Sequence, residues 1–130
     1  MDSFLKAIAA ASSGMDAQST RLRTISENIA NADTPGFRRK LVTFESVLDR
    51  STGATRLEIG DVSLDPSELE LEHRPGHPLA DANGYVEMSN VDMLVELADA
   101  REAQRSYEAN LRMFDQARKM KGSILDLLKR

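Results

Sequence analysis

Any chemistry in this chain has to come from a short set of side chains. His73 and His77 stand four residues apart with Asp81 four further on, a metal-ligand spacing for one face of a helix. Pro75 and Gly76 lie between the two histidines and forbid that helix, so a metal could be held only by a loop. Loop histidines are ordinarily exposed or hydrogen-bonded, and no metal is expected. Glu68, Glu70 and Glu72 supply paired carboxylates, but their period of two places them along the wet face of a strand. No glycine-rich nucleophile turn and no GKS or GKT phosphate loop accompanies the serines. Arg38-Arg39-Lys40 is a basic triplet suited to a phosphate, to an acidic partner, or simply to solvent. These residues make no catalytic centre, and neither enzymatic activity nor a cofactor is expected.

Composition narrows the class. The chain has 130 residues, 41% hydrophobic and 29% charged, which is globular rather than disordered. Its net charge of −4 disfavours general nucleic-acid binding. Cysteine is absent, which excludes disulfides, thiolate zinc sites and a cysteine nucleophile. No apolar run approaches the roughly 20 residues of a membrane helix, so no membrane insertion is expected. Ile8-Ala9-Ala10-Ala11-Ser12 resembles a signal-peptide cleavage site, but the segment before it is too short and Asp2 sits where positive charge is wanted. Cleavage there is not expected.

The elements that would position these residues are helical at both ends. Phe4, Ile8, Ala11, Met15, Gln18, Leu22, Ile25, Ile29 and Ala32 follow alternating gaps of 4 and 3. That is a heptad seam, the pattern of a helix burying one narrow stripe against another helix. Residues 1–36 therefore form a core helix and junction, with Pro35 and Gly36 expected to stop the helix. Gly14 in its interior marks either close helix approach or local weakness. A second helical segment covers 90–130, with Asn90 expected as N-cap and Asp92 favouring the helix dipole. Its seam reads Leu97, Ala100, Gln104, Tyr107, Leu111, Phe114 and Ala117, continuing through Met120, Ile124 and Leu127 or Leu128. Lys119, Lys121, Lys129 and Arg130 gather at its C-terminal end.

Residues 37–89 change character. Val42–Phe44, Arg56–Ile59, Val62–Leu64 and Glu68–Glu72 alternate with period 2, as strands do. The alternation slips at Gly60-Asp61, which predicts a bulge or turn. Asn83-Gly84, between Ala80 and Tyr85-Val86, predicts a hairpin. This insert is acidic, whereas the helical ends are near neutral. The fold class that follows is mainly α with a small β-rich insert, the long terminal helices forming an antiparallel coiled-coil pair. The expected register sets Gln18 opposite Gln104, Met15 near Tyr107, Ile8 near Phe114 and Leu22 near Ala100. Two narrow stripes leave apolar flanks such as Leu5, Ile124, Leu127 and Leu128, and exposed apolar stripes on long helices point to further partners.

Three blocks carry a resemblance. Asn28-Ile29-Ala30-Asn31-Ala32-Asp33-Thr34-Pro35-Gly36-Phe37 closely resembles the N-terminal signature of bacterial flagellar rod and hook proteins. Pro75-Gly76-His77-Pro78-Leu79-Ala80-Asp81-Ala82-Asn83-Gly84-Tyr85-Val86, followed by Asn90-Val91-Asp92, resembles the proximal rod branch of that family, the FlgC type. Arg105-Ser106-Tyr107-Glu108-Ala109-Asn110 is similar to the C-terminal helix of the same branch. Ser89 departs from it, standing where the family commonly has proline, which predicts a looser turn into the last helix.

The resemblance implies an axial structural protein of the flagellar basal body. Such proteins are exported by the flagellar type III apparatus without a cleaved signal and assemble in the periplasm into the rod, the drive shaft that transmits torque for motility. Their terminal helices form the core of a helical tube, disordered before assembly, and the insert faces outward. Implied partners are other rod proteins, further copies of the chain, the basal-body base and the export gate. Phe4 to Ile8 fits a short export-recognition element. The assembly core would then comprise Phe4, Ile8, Met15, Leu22, Ile25, Ile29, Leu97, Tyr107, Leu111, Phe114, Ile124 and Leu128. Asn28, Asn31, Asp33, Thr34, Pro35, Gly36 and Phe37 would form the junction. Pro75, Gly76, His77, Pro78, Asp81, Asn83, Gly84 and Tyr85 would form a surface motif of the insert. The alternative from the residues alone is a soluble coiled-coil adaptor or export chaperone, whose helices would be stable in the isolated chain.

Overall fold

The computed structural model describes residues 2–129, so Arg130 lies outside the described residues. The first helix, α1 (Asp2–Ala30), carries Asp2 in its first turn, where the helix dipole favours an acid. It ends before the residues expected to stop it. The Asn31 N–H is shared between the carbonyls of Glu27 and Asn28, at 3.1 and 3.2 Å, and its side chain donates back to Glu27 at 2.9 Å. Shared bonds of this kind loosen a helix end into tight turns. Gly36, at φ 76°, then reverses the chain, a conformation that favours glycine.

Strands β1 (Lys40–Leu48) and β2 (Thr55–Leu64) form an antiparallel hairpin. The two short runs expected at 56–59 and 62–64 are one strand, interrupted where expected. Val42 pairs with Val62 and Phe44 with Ile59, so Gly60 and Asp61 together oppose Thr43 as a bulge. A Cβ on Gly60 would lie 2.7 Å from Thr43 Oγ1, which is why that position is glycine. The hairpin closes through Asp49, whose carboxylate accepts from the Ser51 hydroxyl and N–H. These bonds, the hydroxyl first, lower the Asp49 pKa.

Strands β3 (Leu71–His73) and β4 (Tyr85–Glu87) make a second, separate two-stranded antiparallel sheet. Only the end of the run expected at 68–72 is a strand, because Glu70 instead bridges irregularly to Met88 and Ser89 through its backbone. The Asn83-Gly84 hairpin is also corrected. Ala80 is not in a strand, and residues 74–84 form one long connection from β3 to β4. Asp81 organises its end, accepting from the N–H groups of Asn83 and Tyr85, both at 2.9 Å.

The last helix, α2 (Met93–Leu128), starts later than the sequence suggests. Its N-cap is Asp92, which accepts from the Leu94 N–H at 3.0 Å, while Asn90 is used elsewhere. The helices lie side by side and antiparallel: Gly14 meets Asn110, Arg21 reaches Glu102, and Asn28 reaches Glu96. At 1.5 Å per residue they are about 44 and 54 Å long. The β1–β2 hairpin packs on α1, where Ser13 Oγ accepts from the Leu57 N–H at 3.0 Å. The buried apolar residues are few and mostly small: Ala11, Ala17, Ile25, Val86, Met88, Ala103 and Ala117.

Candidate functional site

The face by which the helices meet is built from two columns of residues seven apart. On α1 it is Gly14, Arg21 and Asn28; on α2 it is Glu96, Ala103, Asn110 and Ala117. Small residues let the backbones approach. A Cβ on Gly14 would fall 2.7 Å from the Asn110 amide, so Gly14 marks close approach. Arg21 reaches Glu102 at 3.5 Å and Asp99 at 3.9 Å from the flank.

This corrects the seam read from apolarity. Ala11, Gln18 and Ile25 are buried as expected, and Ala100, Tyr107 and Phe114 are partly buried. The alternate positions are wrong by one residue on each helix. Leu97, Gln104 and Leu111 are exposed, where Glu96, Ala103 and Asn110 face the partner. Met15, Leu22 and Ile29 are only half-buried, as are Phe4, Ile8 and Ile124, and Leu128 is exposed. The register shifts with the rotation: with Gly14 at Asn110, Gln18 lies about one turn further along α1 and faces the neighbourhood of Ser106, not the exposed Gln104. Gln18 Oε1 is buried without a hydrogen-bond partner among the described residues.

The displaced apolar columns share one side of the pair. Each residue along a helix turns it by about 100°. In antiparallel neighbours that turn carries the next residue of both helices toward the same side. Ser13, one residue before Gly14, holds the β-hairpin. Met15, one residue after, therefore lies on the opposite side, together with Leu22 and Ile29 and with Leu97, Leu111 and Leu125 of α2. These last three are 50%, 40% and 38% exposed. The helix pair thus carries a mainly apolar face, interrupted on α2 by Gln104 and Arg118, that its own insert does not cover.

At the end of the seam where β1 leaves α1 lies a polar junction joining all three parts of the chain. Asn28, 1% exposed, accepts from the Lys40 N–H at 2.9 Å and donates to the Lys40 carbonyl at 3.0 Å, fixing the start of β1 to α1. The Asn28 amide also reaches Glu96 Oε2 at 3.5 Å. Glu96 is wholly buried and accepts from Arg39 Nε. Arg39 further donates to Asp99 at 3.0 Å and faces Asp65 at 3.6 Å. Burial alone would lower the Arg39 pKa, but the hydrogen bond to Glu96 and the charges of Glu96, Asp99 and Asp65 outweigh it and raise it.

Asn90, expected as a cap, accepts instead from the Arg39 N–H at 2.6 Å and donates to the carbonyls of Asp65 and Ser67. The basic triplet is therefore consumed internally: Arg38 donates to the same two carbonyls, and Lys40 pairs with Glu27 at 2.9 Å. Ser89 does not loosen the turn. It is buried, and its hydroxyl donates to the Ala32 carbonyl.

Of the expected junction residues, Asn28 and Asn31 bind helix and strand backbone, Thr34 donates to Asn31 at 3.2 Å, and Gly36 donates to Glu87 at 3.0 Å. Asp33 is exposed, while Pro35 and Phe37 are half-buried. Arg39, Glu96 and Ser89 were not singled out as a group, and single charges within a polar run gave no signal of their pairing. In the insert motif, His77 Nδ1 accepts from the Leu79 N–H at 3.0 Å, and His73 tilts against Tyr85 with ring centroids 4.9 Å apart. Gly84, at φ 83°, is enclosed by His73 and Pro75. Pro75, Gly76, Pro78, Asp81, Asn83 and Tyr85 are exposed. No helix among the described residues is long and apolar enough to cross a membrane.

Two long antiparallel helices, tied by a polar junction at Asn28 and separated in sequence by a small β insert, define the class of protein: a helix pair carrying an insert. The family described as flagella basal body rod protein matches residues 8–38, and the C-terminal family of the flagellar basal body rod FlgEFG proteins matches residues 82–127. The chain is 49% identical to the flagellar basal-body rod protein FlgC of Agrobacterium fabrum, over 99% of this chain and 98% of that one. It is 38% identical to FlgC of Salmonella typhimurium over 90% and 92%, and 32% identical to FlgC of Borreliella burgdorferi over 91% and 93%. The chain belongs to the FlgC family of flagellar basal-body rod proteins. It is a structural subunit of the rod, not an enzyme, and it assembles with other rod proteins.

Proposed function

We propose that this subunit polymerises through the uncovered apolar face of its helix pair, forming part of the proximal drive shaft that carries torque to the hook. The observation that supports this is the column of Leu97, Leu111 and Leu125 beside the half-buried Met15, Leu22 and Ile29, all opposite the hairpin. Residues 1–36 and 90–130 are the core in this reading, paired as a coiled coil, and 37–89 are the outward insert. A heterologous contact repeated along a screw axis gives a filament rather than a closed ring. Neighbouring copies and other rod proteins cover the face, and the basal-body base and export gate adjoin its first layer. The chain reaches the periplasm through the flagellar export apparatus without a cleaved signal, with Phe4 to Ile8 as its recognition element.

Amide exchange compares the two states. In isolated basal bodies, residues 1–30 and 100–130 should be strongly protected, whereas in the free chain their protection should be markedly weaker. Equal protection in both states contradicts the proposal and favours a self-sufficient coiled-coil adaptor.

A further inference from the structure

Two surfaces are left over by the apolar helix face. On the β3–β4 sheet, Leu71, Leu79 and Tyr85 are 60%, 66% and 42% exposed, and Glu87 stands directly across from Leu71 in the ladder. Neither strand packs against a helix of its own chain. Glu87 has no ion-pair partner among the described residues. At the start of α2, a shallow groove of about 550 Å³ is lined by Leu94, Ala98, Arg101 and Arg105, and only its edge, at Leu97, borders the apolar face. Leu94 is 78% exposed, and neither arginine has an ion-pair partner among the described residues. The acid that also lines this groove, Glu102, is engaged by Arg21.

We infer that these two surfaces dock on each other between successive copies of this chain. The Leu71–Leu79–Tyr85 patch of one copy sits in the α2 groove of the next, with Glu87 beside Arg101. One surface presents leucines, a tyrosine and a free carboxylate; the other presents Leu94 and two free guanidinium groups. The charges are complementary, and tyrosine and arginine dominate the energetics of many interfaces. The surfaces occupy different parts of the chain, so the contact is heterologous and propagates. This rests on the polymerisation reading and adds a second, outer contact that uses the insert motif around His77–Tyr85.

The chain has no cysteine, so a single engineered pair reports the contact. Leu79→Cys and Leu94→Cys are placed in one chain, and basal bodies from cells carrying it are oxidised. A ladder of cross-linked copies is expected. Glu87→Arg or Arg101→Glu alone should reduce it about tenfold, and the two together should restore it. Absence of a ladder, indifference to the single reversals, failure of the combined swap, or cross-links to a different rod protein would each overturn the inference. Leu22→Asp in the same background tests the inner face separately: rods that need Leu22 but tolerate both reversals leave the polymerisation reading standing and remove this contact.

Discussion

Arg39, at the start of β1, donates through Nε to Glu96, a carboxylate in the first turn of α2 with no exposed surface. A buried pair of this kind is weak evidence for stability, since a well-packed apolar pair can do as well. Its specificity is clearer: it fixes where the insert leaves one helix and enters the other. Arg39→Met should destabilise the junction by about 3–5 kcal/mol, because it strands a buried charge. Arg39→Met with Glu96→Met should cost markedly less. Urea unfolding of the full chain measures both, and equal costs would mean the pair is not coupled.

Gly14→Ala places a Cβ 2.7 Å from the Asn110 amide. The helices must part or Asn110 must move, at a cost of about 1–3 kcal/mol. Adding Asn110→Ala should relieve the clash, and alanine then favours the helix over glycine by up to about 1 kcal/mol. Opening free energies from amide exchange of assembled rods would show this reversal.

The Asp65 pKa is lowered, first by the backbone N–H of Ser67, then by the Ser67 hydroxyl, with the charge of Arg39 adding to them. A carboxyl lowered in the folded state stabilises the fold above its unfolded pKa of about 4. That contribution is lost as the pH falls through the lower folded value. Asp65→Asn should therefore flatten the acid limb of the urea midpoint below about pH 4, and change little of its slope near neutrality.

Ser89→Ala removes the hydroxyl that donates to the Ala32 carbonyl and accepts from the Val91 N–H at 3.4 Å. A loss of about 0.5–1.5 kcal/mol is expected in urea unfolding. A neutral result would mean that this hydroxyl is not what holds the turn.

The two long helices, the insert and the bulge at Gly60 were legible because each follows from periodicity or from a residue with restricted geometry. The helix seam was legible only to within one residue. Its apolar column was read both as the seam of the helix pair and as the assembly core, and the helix pair itself uses the neighbouring column. Here the inner seam instead holds Gly14, Ala103 and Asn110, where close backbone approach and the Asn28–Glu96 contact decide the rotation. Charge pairing was illegible for a different reason. Arg39, Asp65, Glu96 and Asp99 are far apart in sequence, and nothing in a polar run marks which charge will be buried.

The central claim is that the apolar column belongs to the assembly and not to the fold. Leu97→Asp with Leu111→Asp tests it most directly, since both side chains are exposed in the single chain. Urea unfolding of the free chain should change by no more than about 0.5 kcal/mol per site, as at ordinary surface positions. Incorporation into rods, and with it motility, should be lost. Normal rods from this variant, or a free chain that no longer folds, would contradict the account.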